Sequence, residues 1–235
     1  MIKILVIGGH GANDPGACSS HGIERDEARK VVNEMVSQFK GYEGVQVDVY
    51  PTSRNCYDDY VKGTLQVNFS NYDYVFEVHF NSSSNSAANG TEIFVTNSEE
   101  STVVEQKVVN KLASLGFSNR GVKRENFGVI YHAKSKGVSS ALVEICFISN
   151  KADMDNYKSK FKEVCNAMVS GIAEGFELKP KVVETTKSSA NSDVILYKGF
   201  ANGNQFTDKC SVENLMKVLE TQFKYGYYEI KLIRC

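Results

Sequence analysis

The chain has no tryptophan, no CxxC cysteine pair, almost no net charge and no long apolar run. Each absence removes a class of protein. Without tryptophan there are no tryptophan-rich binding repeats, and no other internal repeat is evident. The six cysteines (Cys18, Cys56, Cys146, Cys165, Cys210 and Cys235) lack the spacing of a cysteine zinc cluster. With no export signal in view, they are expected as reduced thiols. The net charge of -1, from 27 basic and 28 acidic side chains, gives no general attraction to nucleic acid or to an anionic membrane. Met1 to Ile7 offers too few apolar residues for a leader segment of roughly seven to fifteen. No later run approaches the roughly 20 residues needed to span a bilayer. The expectation is therefore a protein made in the cytoplasm without a signal peptide, with no membrane segment and no nucleic-acid partner.

What is present is an ordinary globular composition: 235 residues, 42% hydrophobic and 23% charged, enough for one full core and a small second unit. Ile2 to Gly8 reads as a buried first strand. Ala28, Val31, Val32, Met35, Val36 and Phe39 then recur at helical spacing behind the acidic Glu24, Asp26 and Glu27. Strands are expected at 45–50, 74–79, 91–96 and 140–147. Helices are expected at 57–67, from Ser101 to a stop at Gly116, and at 161–176. This alternation predicts an α/β fold, a single mostly parallel twisted sheet flanked by helices, over residues 1–178. Residues 179–192 have no periodic apolar face and read as a linker. Residues 193–235 read as a small α+β module with a strand at 194–197, a turn rich in Gly and Asn, a helix carrying Val212, Leu215, Met216, Leu219 and Phe223, and a strand at 227–233. At this size the module lies near the lower limit for independent folding.

Three residues at expected strand ends stand out. His10 follows the first strand among Gly8, Gly9 and Gly11, a sequence that permits a tight turn and exposes the imidazole at the sheet edge. No P-loop lysine follows, and the dinucleotide glycine pattern is not met. His79 closes the strand Tyr74-Val75-Phe76-Glu77-Val78. Glu144 lies inside the apolar strand Ala141 to Phe147, where a carboxylate costs several kcal/mol unless it is paired, metal-bound or neutralised. Two imidazoles and carboxylates at one sheet edge suit a hydrolytic zinc site. Asp14, His21, Glu24, Asp26 and Glu27 all stand close enough in sequence to His10 to supply a third ligand, and spacing alone does not choose among them.

Four ordered motifs carry a resemblance: Gly9-His10-Gly11 with Asp14-Pro15-Gly16-Ala17, Glu24 at a helix start, His79 with Asn81, and Val143-Glu144 with Phe147-Ile148-Ser149-Asn150. Over about residues 1–178 the chain resembles zinc-dependent N-acetylmuramoyl-L-alanine amidases of the amidase-3 type, found in autolysins and phage endolysins. The resemblance implies that His10, Glu24 and His79 hold Zn2+ and that Glu144 is the catalytic carboxylate, with Glu27 the fallback ligand if the Cys18 to His21 turn displaces Glu24. It also implies a reaction, hydrolysis of the amide between N-acetylmuramic acid and L-alanine in peptidoglycan. Asn81, together with Lys123 and Arg124 in an expected loop at 121–126, is a candidate for substrate contact, and His132 for support of the site. The C-terminal module would bind a cell-wall polymer or join copies into a homo-oligomer. An endolysin of a Gram-positive host, acting on the wall after release, is expected. The rival readings are another zinc amidohydrolase or peptidase on this scaffold, or a non-catalytic wall-binding protein.

Overall fold

Ile4, Leu5, Val6 and Ile7 are all fully buried because their strand lies inside a sheet covered on both faces. The computed structural model describes residues 1–181, 197–201, 204–210 and 230–234. In chain order its elements are β1 (Ile2–Gly8), β2 (Cys18–Ser19), β3 (Gly22–Ile23), α1 (Glu24–Phe39), β4 (Val45–Val49), α2 (Cys56–Lys62), β5 (Tyr74–Asn81), β6 (Thr91–Val95), α3 (Val103–Ser114), β7 (Asn119–Arg124), α4 (Gly128–Ser135), β8 (Ser139–Phe147), α5 (Lys151–Ser159) and α6 (Phe161–Gly175). Six of the strands form one sheet in the order β4-β1-β5-β8-β6-β7. Every neighbouring pair is parallel except β6 with β8. Among the described residues, no helix is long and apolar enough to cross a membrane.

Strand alternation divides the side chains between two unequal layers. Ile4, Val6, Phe76, Val78 and Val143 join the large core with Val31, Met35, Val108, Leu112, Met168 and Ile172 from α1, α3 and α6. On the other face Leu5, Ile7 and Val75 meet only a small cluster, in which Cys56 begins α2 and Val129 and Ala133 belong to α4. Beyond that cluster the same face carries Glu77, His79 and Glu144 toward the C-terminal edge of the sheet. Such an edge is where an open α/β sheet places its ligands.

Several sequence expectations are revised. The expected loop at 121–126 is largely β7, an edge strand whose polar sequence Asn-Arg-Gly-Val-Lys-Arg lacks an apolar face. Helices α4 and α5 were not anticipated. The helix expected at 57–67 stops at Lys62, because Gly63 turns left-handed at φ 68° and its N–H caps Asp59 and Tyr60. At the start of the expected linker, Lys179 O accepts from Glu43 N and Lys181 N donates to Gly41 O, which ties these residues to the first unit. The chain divides into Met1–Val182 and Val183–Cys235. In the second unit β9 (Tyr197–Ala201) pairs antiparallel with both β10 (Asn204–Cys210) and β11 (Ile230–Arg234). The helix expected around Val212 to Phe223 lies outside the described residues.

One ion pair fastens the loop that will matter for the site. The buried Asp59 accepts from Arg54 Nε at 2.6 Å and Nη2 at 2.5 Å, Tyr50 Oη at 2.6 Å and Thr64 Oγ1 at 3.1 Å. The Arg54 guanidinium in particular holds the Asp59 carboxyl down at about 2. A lowered folded-state pKa stabilises above the unfolded value near 4, and that stability fades as pH falls through 4 toward 2. Asp59→Asn is therefore expected to lose about 1–2 kcal/mol at pH 7, with the difference from wild type shrinking by pH 2. Urea unfolding at both pH values measures this, and a difference independent of pH would contradict the assignment.

Candidate metal centre

The turn after β1 exists so that two imidazoles can meet. Gly9 N continues the sheet ladder to Val78 O at 2.8 Å, and a Cβ on Gly9 would lie only 2.2 Å from the His79 ring. The next residue, His10, takes a left-handed backbone at φ 61°, unusual for any side chain but glycine. Its ring then lies edge-on to that of His79, with 4.9 Å between centroids. Arg29 of α1 secures this turn from beneath. It donates to the carbonyls of His10 at 2.6 Å, Thr52 at 3.1 Å and Arg54 at 3.2 Å, and also to that of Gly9.

Glu24 stands between the rings. The short β2–β3 hairpin returns the chain so that Glu24 opens α1, its N–H bonded to Ala17 O at 2.9 Å. Its carboxylate lies 3.0 Å from His10 Nε2 and 2.8 Å from His79 Nδ1, and it also accepts from Ala17 N at 2.9 Å and Phe80 N at 3.1 Å. Gly16, at φ 66°, leaves the room required, since a Cβ there would fall 2.5 Å from His10 Cδ2 and 2.7 Å from Glu24 Oε2. Glu27 faces elsewhere, toward Lys30 Nζ at 2.9 Å and Tyr157 Oη at 3.1 Å. Asp26 pairs with Arg25, and His21 sits beside Ser20. Among the described residues, the group of His, Cys, Asp and Glu whose ligand atoms converge within 4.8 Å is His10, Glu24 and His79.

The outer nitrogens of both rings also meet carboxylates. His10 Nδ1 lies 2.8 Å from Asp14 Oδ2, and His79 Nε2 lies 3.3 Å from Glu77 Oε1. Asp14 is held in turn by Gly16 N at 2.9 Å and Asn55 Nδ2 at 3.1 Å, which links it to the Arg54–Asp59 loop. A carboxylate behind each ring favours the tautomer that aims the inner nitrogen's lone pair at the centre. Burial pushes both imidazole pKa values down, but Glu24, helped by Asp14 at His10 and by Glu77 at His79, outweighs it and raises both. Burial likewise pushes the Glu24 carboxyl up, and the two imidazoles hold it well below the ordinary range. Two imidazoles and one carboxylate with oriented outer partners suit a zinc ion, which would take the place of the protons the rings otherwise hold.

Glu144 lies directly across from His79 in the β5–β8 register and across from Glu92 in the β6–β8 register. Its Oε2 is buried and accepts no hydrogen bond among the described residues. Burial, with the neighbouring Glu24, Glu92 and Glu77 charges and against the opposing effect of His79, pushes its pKa up to about 8. Asn81 Nδ2 donates to the buried Glu92 at 2.6 Å, Arg120 Nε donates to Glu92 at 2.8 Å, and Lys123 pairs with the same carboxylate. Asn81 and Lys123 thus stand in a polar cluster anchored one strand from Glu144. Arg124 does not join them. Its Nη1 donates to the carbonyls of Thr96 at 3.1 Å and Glu99 at 2.8 Å. His132 packs its ring 4.3 Å from Tyr60 and 5.5 Å from Phe69, and it supports α4 rather than the site.

Residues 4–175 match the family model described as N-acetylmuramoyl-L-alanine amidase. The chain belongs to this family. It is 27% identical over 207 residues to the "Probable autolysin PH" of Staphylococcus aureus, a match covering 81% of this chain and 42% of the autolysin. To the "Sporulation-specific N-acetylmuramoyl-L-alanine amidase" of Bacillus subtilis it is 25% identical over 224 residues, covering 86% of this chain and 82% of that protein. The catalytic domain of CwlV, an N-acetylmuramoyl-L-alanine amidase from Bacillus (Paenibacillus) polymyxa, superposes with a TM-score of 0.66 at 24% identity, covering 76% of this chain and all of that domain. The chain thus spans under half the length of the staphylococcal autolysin.

Within this amidase fold, three supporting residues escaped sequence reasoning. Glu77 carried the same signal as Glu144, a carboxylate inside an apolar strand. Asn55 and Arg29 carried none, because their roles depend on loops meeting in space. If Asp14 and Glu77 orient the imidazoles, Asp14→Asn and Glu77→Gln should each weaken zinc binding by about 10–100-fold while leaving the fold intact. Competition with a chromophoric chelator, alongside circular dichroism, measures this. Unchanged affinity in both variants would contradict the role.

Proposed function

We propose that this protein is a zinc-dependent N-acetylmuramoyl-L-alanine amidase that hydrolyses the bond between the lactyl group of muramic acid and L-alanine of peptidoglycan. Family membership supports the reaction class. The observation that carries the mechanism is the unpartnered Oε2 of Glu144, buried in register with His79 beside a converged His-Glu-His triad. In this reading His10 Nε2, Glu24 and His79 Nδ1 hold the ion. Zinc bound there supplies a Lewis acid that makes water nucleophilic near neutral pH and offsets charge developing on the amide carbonyl.

The protein's own part is positioning and proton transfer. Asp14 and Glu77 hold a proton on the outer nitrogen of each ring and fix its orientation, so that the inner nitrogens face the centre and would exchange their protons for the ion. With the charge of a bound ion opposing the upward push of burial, Glu144 would be ionised, accept a proton from the attacking water at Oε2 and return it to the departing alanine nitrogen, so that the leaving group departs as an amine. Leu142, Val129 and Phe127 line the cavity and limit bulk water at the reacting bond. Asn81 and Lys123, beside Glu92, form a polar border suited to the stem peptide. In this reading the C-terminal module at 193–235 would bind a wall polymer or join copies of the chain, as an appendix to a wall hydrolase.

Glu144→Gln is expected to keep one zinc per chain and to lose turnover by about 10²–10⁴-fold. The assay is release of free amino groups without new reducing sugar from purified Gram-positive walls. Turnover like that of wild type in this variant would remove Glu144 from the mechanism. No amine release by wild type with zinc present would overturn the reaction itself.

A further inference from the structure

Two aromatic rings face the cavity that holds His10 and His79. Tyr57, in the first turn of α2, and Phe127, just before α4, line the same space of about 330 Å³ as the two histidines. Neither ring is spent on the core. Tyr57 is 51% exposed and Phe127 39% exposed. Isolated exposed aromatics are common on protein surfaces and need no explanation. Two that share one wall of a reaction cavity, each held from behind, are a different matter.

Both rings are braced. Tyr57 lies against Gly128, where a Cβ would come within 2.4 Å of Tyr57 Cε2, so the glycine lets the ring lie flush on the start of α4. Phe127 stands edge-to-face on Phe94 of β6, with centroids 5.0 Å apart and planes at 88°. Tyr131, four residues and so about one helical turn beyond Phe127, is 49% exposed. Rings already fixed in place lose little conformational entropy when a ligand lies on them.

The chemistry of the substrate decides what this wall suits. The scissile amide joins two unlike arms: a sugar ring only a few bonds from the reacting carbonyl, and a stem peptide bearing carboxylates. The sugar presents uncharged C–H faces. Aromatic faces suit those, while Arg120 and Lys123, paired with Glu92 across from Glu144 in the β6–β8 register, carry the positive charge that suits the charged arm. We propose that Tyr57 and Phe127 form a saccharide subsite that seats the muramic acid ring beside the metal centre, with Tyr131 meeting the glycan as it continues. The assignment rests on the amidase reading for the identity of the sugar.

Because the chain contains no tryptophan, Phe127→Trp places its single tryptophan in the subsite itself, where it can be excited apart from the tyrosines. The probe is the peptide-free tetrasaccharide of alternating N-acetylglucosamine and N-acetylmuramic acid, titrated into the zinc-loaded full-length variant. A saturable change in emission is expected. Adding Tyr57→Ala should weaken binding at least about tenfold, whereas Tyr57→Phe should keep it, because the ring and not the hydroxyl makes the contact. Calorimetric titration of wild type and Tyr57→Ala with the same sugar makes the comparison without the fluorophore, and unchanged zinc content verifies that Tyr57→Ala is folded. No saturable binding to wild type, equal affinity with and without the Tyr57 ring, or equal saturation by a free stem peptide would each overturn the subsite. Sugar binding that persists in a protein releasing no amine from walls would instead overturn the reaction and leave the subsite standing.

Discussion

The Glu24 carboxylate, only 4% exposed and set between two imidazoles, is the interaction on which the rest of the unit Met1–Val182 depends. An unpaired charge so deeply placed would cost several kcal/mol. Here it is satisfied by groups from three other places in the chain: His10 after β1, Ala17 before the β2–β3 hairpin, and His79 and Phe80 on β5. Local turns are shaped to that end. Gly9 and Gly16 yield the space that the rings and the carboxylate occupy, His10 accepts a left-handed backbone, and Arg29 binds the carbonyls that this turn leaves facing α1.

The sheet supplies the second half of the arrangement. Alternation along β5 and β8 sends Phe76, Val78 and Val143 into the large core and Glu77, His79 and Glu144 to the opposite face. That face is only partly covered, because α2 and α4 are short and their cluster ends at the level of Val75 and Val129. The carboxylates left beyond it do different work according to their partners. Asp14 and Glu77 back the imidazoles, Glu92 gathers Asn81, Arg120 and Lys123, and Glu144 keeps an oxygen free. The cavity at this edge is lined by His10 and His79 together with Tyr57 and Phe127.

Much of this was legible in the sequence where burial is continuous. The apolar runs of β1, β5 and β8 and the periodicity of α1 and α6 appear where they were expected, and a carboxylate inside β8 drew attention to Glu144 on energetic grounds alone. Polar elements were harder to read. Strand β7 lies at the sheet edge, where hydrogen bonding to one neighbour suffices and no apolar stripe is required. Read as a loop, it gave no reason to separate Lys123 from Arg124, yet alternation along the strand sends one to Glu92 and the other to backbone carbonyls. Glu24 and Glu27 lie three residues apart on one helix and so are close to equivalent by periodicity. Only the hairpin at 18–23, which fixes where the helix begins, distinguishes them. His132 had no neighbour in sequence to reveal that Tyr60 and Phe69 enclose it.

The central claim is that His10, Glu24 and His79 together form one zinc site, with the cysteines uninvolved. X-ray absorption at the zinc edge on the purified full-length protein tests it most directly. The account predicts one zinc per chain with two imidazole nitrogens and carboxylate oxygen at about 2.0–2.2 Å and no sulfur at about 2.3 Å, and it predicts that the two-imidazole signature is lost in His79→Ala. A sulfur shell in the wild-type spectrum, or an unchanged zinc spectrum at full occupancy in His79→Ala, would contradict it.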